Sequence, residues 1–105
     1  MNWFGVRSVY LFGVNSLGIN VFEERIVVFC AETFDEAHIK AEREAKTYAA
    51  GGEYEMHSEQ VAYKQDGDEL IDGYEVWSEL YESKMTLNEF YKARYEAFLY
   101  HPENA

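Results

Sequence analysis

Residues 31–52, AETFDEAHIKAEREAKTYAAGG, decide how the rest of the chain must be read. Thr33 stands where an N-cap is needed, and Glu36, three residues on, completes the spacing of a capping box. Phe34, Ala37, Ala41, Ala45 and Tyr48 recur at helical intervals and make one apolar stripe. Glu36 with Lys40, and Glu42 with Lys46, are i,i+4 pairs in the favourable order, each adding about 0.3 kcal/mol. Gly51-Gly52 supplies the stop. The spacing predicts one amphipathic helix, and its alanines allow close approach to a sheet. The strands of that sheet must come from the apolar sequence on either side.

Upstream, residues 3–12, WFGVRSVYLF, and 21–32, VFEERIVVFCAE, are rich in β-branched and aromatic side chains. They read as two strands joined through the Gly- and Asn-containing residues 13–20. Residues 26–31 are apolar on both alternating faces, which predicts that the second strand lies inside the sheet. Downstream, residues 55–65, EMHSEQVAYKQ, and 70–81, LIDGYEVWSELY, read as a second hairpin about Asp66-Gly67-Asp68. Gly73 marks a bulge or a close backbone approach. Thr86 and Glu89 repeat the capping spacing and open a helix that runs to about Tyr100.

The expected fold is α+β, one domain over residues 1–105. It has an antiparallel sheet of about four strands, in the order ββαββα, with two helices packed on one face. A chain of 105 residues has room for one core.

In the last helix, Leu87, Phe90, Tyr91, Arg94, Ala97 and Phe98 share a face, which sets Arg94 inside an apolar stripe. That position predicts a buried or half-buried guanidinium paired with a carboxylate, Glu75 or Glu23. Tyr95, Leu99 and Tyr100 lie on the flank, and this second apolar set points to self-association as a homodimer.

The net charge is −11, and residues 53–82 hold half of the twenty acidic side chains against Lys64 alone. Such a field repels nucleic acid and anionic membranes, and suits either solubility or a basic protein partner. The single cysteine, Cys30, excludes an internal disulfide and a thiolate zinc cluster. No apolar run approaches eighteen residues, and the N-terminus lacks the basic start of a signal peptide. A cytoplasmic protein is the expectation.

His57-x-Glu59 puts an imidazole and a carboxylate on one side of a strand, with Glu75 or Glu79 as neighbours. Two ligands without a second histidine do not make a metal site. There is no nucleophile elbow, no phosphate-cradling glycine loop and no zinc-protease motif. Catalytic, cofactor and metal residues are therefore all expected to be none.

Strand parity groups Trp3, Arg7, Glu23, Arg25, His57, Glu59, Glu75, Trp77 and Glu79 on one sheet face. It is either a solvated face with ordinary ion pairs or a recognition face anchored by tryptophans. On the recognition reading the interaction residues are Trp3, Arg7, Arg25, Glu75, Trp77, Glu79, Tyr95 and Leu99, in a non-enzymatic domain that neutralises or scaffolds a basic partner. The alternative is a small-ligand pocket between the sheet and the C-terminal helix.

Several stretches resemble a bacterial family, domain of unknown function 4288. They are Trp3-Phe4 with Val6-Arg7, Glu23-Glu24-Arg25, Ala31, Phe34-Asp35-Glu36-Ala37, Ala41-Glu42, Glu44-Ala45, Tyr48, and Gly73-Tyr74-Glu75-Val76-Trp77-Ser78. The resemblance covers roughly residues 3–80. It implies a small bacterial cytoplasmic domain and brings no activity, cofactor or catalytic residue with it.

Overall fold

The structure is a computed structural model that describes residues 2–67 and 72–100. A long antiparallel hairpin, β1 (Asn2–Val14) and β2 (Asn20–Ala31), leads into α1 (Phe34–Gly52). Two short strands follow, β3 (Glu55–Met56) and β4 (Val61–Lys64), and then α2 (Leu87–Tyr91), which continues as a π-helical turn, Lys92–Glu96. The α+β class, the four antiparallel strands, the two helices and the order ββαββα are all present.

The arrangement within that order differs from expectation. β1, not β2, is central, with β2 on one edge and both β3 and β4 on the other. β2 is an edge strand whose odd positions turn toward α1, while Phe22, Ile26 and Val28 on its other face stay exposed.

β3 and β4 are one strand interrupted by a bulge. Tyr10 faces Met56 while Arg7 faces Val61, so residues 57–60 hold extra chain that β1 does not match. The His57 amide donates to the Val9 carbonyl at 2.9 Å, and the Gln60 carboxamide donates to the buried Ser8 hydroxyl at 2.8 Å. Of the expected fourth strand over 70–81, the described residues 72–81 are not a strand. Residues 72–83 have no ladder partner among the described residues, and its first two positions lie outside them. The segment lays Trp77 across the sheet face, while the Tyr74 hydroxyl accepts a hydrogen bond from the Gly67 amide.

One face of β1 makes the core. Phe4, Val6, Ser8 and Tyr10 are buried, and α1 sets Ala37, Ala41, Ala45 and Ala49 over that face. Alanines four residues apart form a smooth ridge, so the helix comes close enough to seal it. Burying Phe4 and Val6 contributes about 1.5–3 kcal/mol each. Phe34 meets Phe4 edge-on at 4.9 Å, and Tyr48 meets Tyr10 at 5.1 Å, so the larger rings close the margins.

α2 is not on that face. Arg94 approaches Glu24, whose side chain points away from α1, so the last helix stands over the opposite side. No Cα of α2 or its π turn lies within 8 Å of a strand Cα, so only side chains bridge the gap.

Both caps form. Thr33 Oγ1 accepts from the Glu36 amide at 3.1 Å, but the Glu36 carboxylate reaches back to the Glu32 amide, one residue beyond a standard box. Thr86 and Glu89 make the full reciprocal box.

At its other end α1 runs through both glycines and stops at Glu53, whose φ of 59° is left-handed. Tyr54 and Glu53 donate to the carbonyls of Ala49 and Ala50 in a Schellman arrangement. Gly52 is required for a different reason: a side chain there would collide with the Tyr54 ring. Replacing Glu53 with Gly should therefore stabilise the fold by roughly 0.5–1 kcal/mol, and Gly52→Ala should destabilise it. Ala41→Leu should cost about 1–3 kcal/mol by forcing α1 off the sheet. Urea melts of the three variants check all three signs.

Candidate functional site

The sheet face away from α1 carries the candidate site, and the hairpin register decides which residues reach it. Trp3 faces Cys30, Gly5 faces Val28, Arg7 faces Ile26 and Val9 faces Glu24. Odd positions of β1 thus share a face with even positions of β2. Trp3 and Arg7 lie on the open face, whereas Glu23 and Arg25 turn under α1. The single parity expected to unite them is split, because β1 and β2 pair across an odd register.

Arg25 pairs with Glu44 of α1 at 2.5 Å and lies 3.8 Å over the Tyr48 ring, whose hydroxyl donates to Glu23 at 2.7 Å. The bond to Glu23, helped by desolvation, pushes the Tyr48 hydroxyl up to about 12. The Glu44 carboxylate likewise raises Arg25 above its usual value. These groups fasten α1 to β2.

On the open face, residues 72–83 form a strap, and its anchor is Trp77. The indole rests on Gly5; a Cβ there would stand 3.3 Å from Trp77 Cε3 and 3.4 Å from Ile26 Cγ2. The absent side chain is what lets the ring down onto the strand. Gly73 serves the strap differently, with φ of 80° and open space around it, so it is a turn residue and not a close approach.

Glu79 gathers the strap's polar contacts. Arg7 pairs with it and lies 5.6 Å from the Trp77 ring. The Trp77 indole N–H donates to Glu79 at 2.9 Å and the Tyr81 hydroxyl at 2.7 Å. Tyr81, then Trp77 and Arg7, hold the Glu79 carboxyl below its ordinary value against the opposing pull of desolvation.

The relay continues outward. Arg94 donates to the Tyr81 hydroxyl at 3.1 Å and stands 4.0 Å from Glu24. It is half-buried, as its place in the stripe predicts, but its carboxylate is Glu24 and not Glu75 or Glu23. Tyr95 rests against Tyr91, ring to ring at 5.2 Å. Glu75 is exposed near Tyr63, whose hydroxyl is raised by desolvation and by that charge. His57 turns its Nδ1 to the Glu59 amide within the bulge, at 3.1 Å. Among the described residues no three His, Cys, Asp or Glu side chains are grouped to hold a metal.

Beyond the strap, the last helix and the far end of the hairpin enclose a groove of about 930 Å³. Val9, Leu17, Ile19 and Phe22 line one wall; Ala97, Phe98, Leu99 and Tyr100 line the other. Its charged members are Glu24 and Arg94. Phe98 is 88 % exposed, Leu17 and Phe22 are both 66 %, and Leu99 is 61 %. Leu17 and Ile19 are held by Asn15, whose side-chain oxygen accepts from both their amides at 2.9 and 3.0 Å.

Of the expected interaction residues, Arg7, Trp77 and Glu79 come together, Leu99 lines the groove, and Arg25 lies on the other face. Leu17, Ile19, Phe22 and Phe98 were not among them. The signal for Leu17 and Ile19 was two large aliphatic residues inside a connection rich in Gly, Asn and Ser.

No helix among the described residues is long and apolar enough to cross a membrane. No family model, no curated protein and no solved structure matches the chain.

Two outcomes follow from the strap. Gly5→Ala should unseat Trp77 and cost about 1 kcal/mol or more, while Gly13→Ala, with nothing within 4 Å of its Cβ, should be close to neutral. Because the folded Glu79 value is lowered, its stabilisation is present above pH 4.5 and disappears as pH falls through that lowered value. In a Trp3→Phe background, Trp77 emission should therefore stay unshifted down to pH 4.5 and move red as the pH falls below it. Glu79→Ala should be shifted already at neutral pH.

Proposed function

We propose that this chain is a non-enzymatic protein-interaction domain whose docking surface is the groove between the hairpin tip and the C-terminal helix. One observation carries the reading: large apolar side chains from two separate elements converge there and stay exposed. Small proteins seldom leave such a contiguous patch open without a partner for it. The occupant we infer is an apolar segment of another protein flanked by basic residues. Leu17, Ile19, Phe22, Phe98 and Leu99 supply apolar contact area. Glu24, beside Phe12, Val21 and Tyr100 at one end, supplies the opposite charge. The net charge of −11 repels nucleic acid and anionic lipid. Neutralising or scaffolding a basic partner in the cytoplasm is the role this surface suits.

A small-molecule reading has one observation in its favour. The groove volume falls within the range of about 300–1,000 Å³ usual for ligand sites. Its walls weigh against that reading, since side chains exposed by more than half leave a small ligand wet on most sides.

The test is selection of peptides from a random displayed library on the intact chain. Expected binders carry apolar anchors with Lys or Arg at the flanks, and lose at least tenfold in affinity against Phe98→Glu or Leu17→Glu. Binders indifferent to both substitutions, or a library yielding none, overturn the proposal.

A further inference from the structure

A second surface adjoins the groove, sharing Asn20, Phe22 and Glu24 with it and running on to Val28: the outer edge of β2. This strand is twelve residues long and contains no proline, and no described strand pairs with its outer side. Proteins usually blunt such an edge by shortening it or by placing Pro or Lys along it. Here the one basic residue, Arg25, is turned toward α1.

Hydrogen-bond alternation fixes which backbone groups face outward. The carbonyls of Trp3 and Val9 accept from Gln65 and His57, so odd positions of β1 bond toward β3 and β4. Even positions of β1 therefore bond toward β2, to Phe29, Val27, Arg25 and Glu23. The N–H and C=O groups of Asn20, Phe22, Glu24, Ile26 and Val28 are left pointing out. Cys30 belongs to the same set, and its carbonyl is covered by the Lys40 ammonium at 2.6 Å. The open edge thus ends at residue 28.

We propose that a second copy of this chain adds antiparallel along residues 20–28, with Glu24 on the two-fold axis, joining the two sheets into one. The argument for a second copy is that this sequence complements its own reverse. In this register Arg25 of each copy directly faces Glu23 of the other, on the α1 side of the joined sheet. Phe22 faces Ile26, both of them exposed in the single chain, and Val21 faces Val27. All five outward-pointing residues fall at hydrogen-bonded positions. The one unfavourable pairing is Glu24 with Glu24, and each of these carboxylates has Arg94 at 4.0 Å to offset it. Shifting the axis by one residue to Arg25 places arginine against arginine and loses the Arg25–Glu23 pairs. A two-fold perpendicular to the sheet also sets both docking grooves on the same side. The pair is bivalent toward a partner with two anchor segments.

Cross-linking at single cysteines in a Cys30→Ala background tests the register. Glu24→Cys should be joined rapidly to its symmetry mate by a short bis-maleimide. Asn20→Cys alone should not, because two copies of residue 20 would stand about 27 Å apart along the strand. Asn20→Cys mixed with Val28→Cys should cross-link. Ile26→Pro removes an outward N–H without touching the ladder to β1. It should sediment as a folded monomer where the parent is a dimer at tens of micromolar. Arg94→Ala should weaken the dimer at least tenfold.

A parent that sediments as a monomer in low and high salt overturns the proposal, as does efficient linking through Asn20→Cys alone. The groove is read separately, since Ile26→Pro should keep peptide affinity and Phe98→Glu should keep the dimer.

Discussion

β1 is the strand on which everything else bears. It is bonded along both edges, with β2 on one side and the bulged β3–β4 strand on the other. It is also packed on both faces, by the alanine ridge of α1 and by the Trp77 strap. A strand so placed needs small residues wherever a neighbour comes close, and large ones wherever it must fill volume. Phe4, Val6 and Tyr10 fill the α1 side, while Gly5 leaves room on the other. That alternation lets a 105-residue chain build a second layer from an irregular segment that makes no strand of its own.

The local devices were legible in the sequence because each depends on residues a few positions apart. The N-cap at Thr33, the box at Thr86 and Glu89, the alanine stripe and the long hairpin all belong to this kind. What was hidden depends on long-range choices. Residues 72–81 pair with no described strand, and the seat that Trp77 takes on the sheet lies over Gly5, some seventy residues away. The split of Arg7 from Arg25 came from a register that is odd where an even one was assumed, and a single residue reverses every side chain. The C-terminal stop of α1 was placed correctly within a residue, but for the wrong reason: Gly52 yields to the Tyr54 ring, and Glu53 takes the left-handed backbone.

The candidate site was less legible still. Arg7, Trp77 and Glu79 were singled out as charged and aromatic residues that meet on a sheet, and they do meet. Their contacts, however, are largely with one another and with the strand beneath, so they fasten the strap and leave little surface free. The groove residues carry no chemistry that a motif search would notice. Leu17, Ile19, Phe22 and Phe98 matter because two elements distant in sequence hold them side by side without covering them.

Charge and contact are kept apart in this molecule. Glu53, Glu55 and Glu59 border the β3–β4 edge, two strand spacings or about 10 Å from β2. The groove walls between residues 9 and 22 carry no charge, and Glu24 and Arg94 face each other across the gap. The screening length at physiological salt is about 8 Å, so a charge on the far edge is weakly felt at β2. An acidic chain arranged in this way carries its charge along one edge while apolar and hydrogen-bonding surface remains exposed at the other. The field that disperses the molecules then does little to oppose the contact that would join them.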